Sequence, residues 1–134
     1  MPRENYYKRM FFVGAVWNWL ATVPFAIGYR FLFPLLGLPD PNYVVFLQLF
    51  LGLAFVYGLG YYWVSRDIHR NHGIVRMGII GKLIVFAGFV RAWIAGEIPW
   101  FLIGPGIVDL IFAVMFMEFL VFYGKQRIIR EETK

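Results

Sequence analysis

Cysteine is absent from this 134-residue chain, so its own side chains can build neither thiol–disulfide chemistry nor a thiolate metal site. Hydroxyl nucleophiles are nearly missing as well. Ser65, Thr22 and Thr133 are the only serine and threonines, and none stands beside an evident base in the sequence. Two histidines, His69 and His72, and Asp67 share one short loop; with no further His and no Cys in the chain, a solvated loop is expected there and no metal site. The phosphate-loop, zinc-protease and serine-elbow signatures do not occur, and no catalytic residue is assigned. Charge is scarce: Asp, Glu, Lys and Arg make up 16% of the residues, against about 25% in soluble domains.

Hydrophobic residues supply 60% of the chain, and 28 residues are Phe, Tyr or Trp. Four apolar runs, at about 10–29, 43–63, 74–95 and 101–123, each approach the roughly 20 residues needed to cross about 30 Å of hydrocarbon. The expected fold is all-α, an integral membrane four-helix bundle forming a single four-span domain over residues 1–134. The first run begins with basic residues, as a signal peptide does, but it exceeds the usual run of about 7–15 apolar residues and lacks a small-x-small site; retention is expected. Between the first two runs lies FLFPLLGLPDP (31–41), whose three prolines and one glycine predict an interfacial loop or a part-re-entrant cap. SRDIHRNHG (65–73) predicts a polar loop, GEIPW (96–100) a tight hairpin turn, and residues 124–134 a solvated tail.

The basic residues set the expected orientation. Arg3, Lys8, Arg9, Arg66, Arg70, Arg76, Lys125, Arg127, Arg130 and Lys134 fall on one side; Arg30 and Arg91 fall on the other. Ten against two places both termini in the cytoplasm, which in a bacterium means the inner membrane. The net charge of +5 sits almost wholly in these flanks, where it sets topology and meets anionic lipid, so nucleic acid is not an expected partner.

Lys82 and Asp109 are the exceptions, each deep inside an apolar run. A charge at bilayer depth costs about 2.5–3.5 kcal/mol on insertion scales and marks a functional-site hypothesis by default. The fourth run contains fourteen Phe, Ile, Leu and Val residues, contributing roughly 4–8 kcal/mol to insertion, most of which Asp109 and Glu118 together can cancel. Asp109 and Glu118 are nine residues apart, hence on opposite helix faces, and so are Lys82 and Arg91. Mirroring the third and fourth runs about Glu97 sets Lys82 at a depth between Asp109 and Glu118, and Arg91 near Glu97. The sequence leaves open which acid takes Lys82. It also leaves open whether the pair fixes helix register or holds a proton, an ion or a polar headgroup, or whether Lys82 snorkels.

Gly81, Gly88, Ala92 and Gly96 form a small-residue stripe on the third run, suited to close helix packing. Asn18 with Thr22, and Gln48, are expected to act as interhelical hydrogen-bond glue or as part of a polar patch with Asp109. The ligand, proton or ion candidates are therefore Lys82, Asp109, Glu118, Asn18, Gln48 and Arg91.

Four spans with a Pro/Gly-interrupted segment after the first, together with GIVRMGIIGKL (73–83) and GIVDLIF (106–112), resemble small bacterial four-helix membrane proteins of the DoxX-like kind. The resemblance implies the same architecture and, for some relatives, an accessory role beside quinone-linked oxidoreductases. It implies no catalytic residue. The expected function is a non-enzymatic accessory or lipophilic-ligand-binding subunit. Alternatives are a proton- or ion-coupled transporter using a Lys/carboxylate pair, and a membrane enzyme or oxidoreductase subunit acting on lipid or quinone. The expected partners are the bilayer and a homo-oligomer or larger membrane complex. No cofactor is required, with quinone or lipid as the candidates if one binds.

Overall fold

The computed structural model describes residues 2–134, which are helical with no strand among them. Helix α1 spans Pro2–Leu35, α2 Val44–Arg66, α3 His72–Ile94 and α4 Ile103–Glu132, with a single 3-10 turn at Trp100–Leu102 ahead of α4. All four are long and apolar enough to cross a membrane. At 1.5 Å per residue the 23-residue helices α2 and α3 reach about 34 Å, slightly more than a hydrocarbon core of about 30 Å. Large apolar side chains face outward along each of them, among them Ile27, Phe46, Ile84 and Ile111, as a lipid solvent requires.

The chain forms two compact units, α1 with α2 and α3 with α4. In the first, Trp19 of α1 packs on α2 at Gly58. Its ring lies 6.1 Å from the rings of both Phe55 and Tyr62, one turn to either side of that glycine. A Cβ on Gly58 would stand 2.7 Å from the indole Nε1, so only glycine admits the ring at this depth. One turn of the same packing is polar: Asn18 Nδ2 donates to the Ala54 carbonyl at 2.8 Å, and Thr22 Oγ1 donates to the Asn18 carbonyl at 2.7 Å. In the second unit Gly106 plays the corresponding part. A Cβ there would meet Phe89 at 3.2 Å and Phe86 at 3.5 Å. The buried faces run Val75, Gly78, Ile79, Lys82 on α3 and Gly106, Phe112, Ala113, Phe116, Phe119 on α4, each set falling on one side of its helix as an apolar seam demands.

The segment expected to be irregular from residue 31 is instead helical as far as Leu35. Pro34 forgoes only the bond to the Arg30 carbonyl, and α1 has already bent at Gly28 (φ −112°, ψ 22°), so the apolar residues 31–35 continue a kinked helix. The helix ends at Gly37, where φ is +71°. The Gly37 amide returns to the Pro34 carbonyl and the Leu38 amide to that of Phe33, which is a Schellman closure followed by Pro39. Helix α3 closes identically at Gly96 (φ +73°), with the Gly96 amide on the Trp93 carbonyl and the Glu97 amide on that of Ala92. The loop expected over 65–73 contracts to 67–71, because Ser65 and Arg66 complete α2 while His72 and Gly73 begin α3. The tail beyond Tyr123 is solvent-exposed as expected, yet it is helical to Glu132.

Trp19 Nε1 is fully buried and finds no acceptor. An orphaned buried donor costs about 1–3 kcal/mol, so Trp19→Phe, which keeps a ring between Phe55 and Tyr62, should leave thermal stability within about 1 kcal/mol of the parent, while Trp19→Ala should lose about 3–5 kcal/mol. Equal losses in the two variants, measured by thermal unfolding in detergent, would mean that the indole nitrogen has an acceptor after all.

Candidate functional site

Lys82 and Asp109 meet inside the α3/α4 unit. Lys82 occupies the seam row of α3 that continues through Phe86 and Phe89; Asp109 lies one turn beyond Gly106, where α4 approaches those rings most closely. That approach brings a short carboxylate within reach of a long ammonium, and Lys82 Nζ donates to Asp109 Oδ1 at 2.7 Å. The ammonium also lies 5.3 Å from the centroid of the Phe112 ring, one turn past Asp109, a cation–π contact on its other side. The lysine side chain is 5% exposed and the aspartate 14%. Carboxylate and ring together satisfy the ammonium where water does not, which is the condition for a charge to persist at bilayer depth.

Glu118 lies on an exposed face of α4, nine residues and two and a half turns from Asp109, so the acid that holds Lys82 is Asp109. Arg91 pairs with Glu97 at 2.9 Å across the hairpin turn, both side chains more than half exposed. Gln48 is on an exposed face of α2, away from the Asn18/Ala54 contact. The small-residue stripe lies outside the α3/α4 seam. Gly88 is exposed with open space where a Cβ would be, Gly81 and Ala92 are half-buried, and Gly96 serves the Schellman turn. Gly58 and Gly106, which the sequence reading does not single out, each admit a large ring within their units. Tyr57-Gly-Leu-Gly-Tyr61 and Gly104-Pro-Gly106 were the available signals, but the large rings that each glycine accepts come from other helices.

Along the turn-proximal half of α3 lies a shallow, open apolar surface formed by Phe86, Ala87, Val90, Arg91, Ile94 and Ala95 of that one helix. Arg91 is its one charged member. In the 67–71 loop, Asp67 accepts from the His69 amide and pairs with Arg70 at 3.3 Å, and His69 Nε2 lies 3.8 Å from Glu4. His72 instead stacks edge-on against Phe119 and Tyr123. Among the described residues no three His, Cys, Asp or Glu side chains converge as metal ligands would.

Compared with protein-family models, with curated proteins and with solved structures, the chain matches none. None of these comparisons assigns the chain to a family, DoxX-like or other. The stretches 73–83 and 106–112 hold Lys82, Gly106, Asp109 and Phe112 of the buried charge site.

Proposed function

We propose that this protein is a small accessory subunit of a bacterial inner membrane. It would be a four-helix bundle of the DoxX-like kind with both termini cytoplasmic, binding a lipophilic ligand such as a lipid or quinone. The observation that carries the reading is the exposed face of α3, an open apolar surface with one guanidinium, that of Arg91, in it. An acyl or isoprenoid chain fits such a surface, and Arg91 fits a phosphate or carbonyl headgroup at the interface, since it is exposed beyond its pair with Glu97. Gly88, open on the same helix, leaves room for a partner helix or a second copy. In this reading Lys82 and Asp109 fix the register of α3 on α4.

A second reading has one observation in its favour. Asp109 is more exposed than the lysine it holds, so the pair has an accessible side, as a proton- or ion-coupled carrier needs.

Native mass spectrometry of protein purified in mild detergent separates the two. A retained lipid or quinone that is lost in Arg91→Gln and kept in Asp109→Asn supports the α3 surface. Loss in Asp109→Asn alone moves the ligand to the buried pair. Bare protein throughout, with pH-dependent flux in liposomes that Asp109→Asn abolishes, would replace the accessory reading with the carrier.

A further inference from the structure

Polar side chains interrupt the exposed surface of each unit at one recurring interval. On α3 the exposed face carries Arg76 and Arg91, and the exposed residues between them, Met77, Ile80, Leu83, Ile84, Ala87 and Gly88, bring no polar side chain. The two arginines are 15 residues apart, about 22 Å along the helix. On α2 the exposed Gln48 and the exposed Trp63 are also 15 residues apart, again with no exposed polar side chain between them. The exposed apolar residues of α1 run from Phe12 to Ile27, and the helix bends at the next residue, Gly28.

Within the α3/α4 unit Arg76 and Glu118 stand at one level. His72 packs on Phe119 and Tyr123, and Arg76 and Glu118 each lie about one turn from that contact toward the Lys82–Asp109 pair. Lys82 is enclosed by Asp109 and Phe112, whereas Arg76 and Glu118 face outward, where a charge at the bilayer centre costs about 2.5–3.5 kcal/mol. That cost places their level at the edge of the hydrocarbon. At the turn end of the unit Arg91 pairs with Glu97, and the exposed Trp93 and Trp100 lie at that same end, as headgroup-level aromatics do. An arginine stem can climb several ångströms toward water, but Gln48 and Glu118 are shorter and keep their polar heads near the helix.

We propose that the lipid-facing belt of this protein is about 22–25 Å thick, so that the bilayer it fits is one of short-chain phospholipid, thinner than the usual hydrocarbon core of about 30 Å. The 23-residue length of α3 overstates its apolar reach, because its first turn and its last few residues lie outside the interval between Arg76 and Arg91. In a thicker membrane either the bilayer must thin around the protein or Gln48, Arg76 and Glu118 must enter hydrocarbon.

Thermal unfolding in nanodiscs of dimyristoleoyl, dioleoyl and dierucoyl phosphatidylcholine varies chain length at constant headgroup. The midpoint should be highest in the dimyristoleoyl lipid and fall by about 3–6 °C at each lengthening, since mismatch costs a fraction of a kcal/mol per Å. Gln48→Leu/Arg76→Leu/Glu118→Leu carries the apolar surface further along both units and should move the highest midpoint to the dioleoyl lipid. Position is read separately, in a chain without native cysteine: in dioleoyl discs a bimane on Met77→Cys, beside Arg76, should be quenched by acrylamide about threefold faster than one on Ile84→Cys. Equal midpoints across the series, a parent maximum in the dioleoyl or dierucoyl lipid, or a maximum that the triple substitution leaves in place would overturn the proposal. Equal protection of the two bimanes would do so as well, because α3 would then use its whole length as apolar span. Both readouts are independent of any ligand on the exposed face of α3.

Discussion

Asp109→Asn should lower the unfolding free energy by about 2–4 kcal/mol, a large fraction of a small membrane protein's stability. The amide keeps an oxygen within reach of Lys82 Nζ, so a hydrogen bond can persist; what is lost is the compensating charge for an ammonium that is 95% covered. Interhelical hydrogen bonds between neutral groups in membranes average only about 0.6 kcal/mol, and a loss of that size would mean the charge is compensated elsewhere. The companion variant Lys82→Met/Asp109→Leu removes both charges and should recover most of the stability, because apolar residues of similar volume replace buried ion pairs at little cost. Thermal unfolding followed by size-exclusion chromatography measures both. If the double variant were as unstable as the single one, the pair would be contributing something other than mutual neutralisation.

Gly58→Ala is expected to be costly out of proportion to one methyl group. The new Cβ would lie 2.7 and 2.9 Å from Trp19 Nε1 and Cδ1, and 3.1 Å from Asn18 Cβ. The indole has little room to retreat with Phe55 and Tyr62 on either side, so α1 must move outward, stretching the Asn18 bond to Ala54. Overpacking of this kind costs about 1–3 kcal/mol. Gly88→Ala is the control: a Cβ there meets nothing, and the gain in helix propensity should leave the variant as stable as the parent or slightly more so. Equal melting temperatures for the two alanine variants would show that Trp19 does not lock the first unit.

The spans were legible because 20-residue apolar runs admit few other readings, and a depth for Lys82 between Asp109 and Glu118 followed from mirroring two helices about a short turn. Arg91 beside Glu97 came from the same construction. The choice between Asp109 and Glu118 was not legible, since it depends on which face of α4 Gly106 presses toward α3, and the rings that reveal this belong to the other helix. Gln48 misled because a polar residue in an apolar run suggests an inward face, whereas near a helix end it can face the interface. Pro34 misled because a proline removes one helix bond without ending the helix; past the bend at Gly28 the chain runs on through that loss to its Schellman closure.

Both hairpins carry the same device at their turn ends: a glycine with positive φ that folds the final amides back onto the helix carbonyls. No side chain caps the start of α2 or of the 3-10 turn ahead of α4, so the satisfied backbone of each tip is that of the helix end before it. The leading tip of each hairpin thus arrives with much of its polar backbone already satisfied, and the second tip's formal charges, Arg91 and Glu97, neutralise each other. Each helix pair can therefore enter an apolar phase as one unit, its turn end already folded.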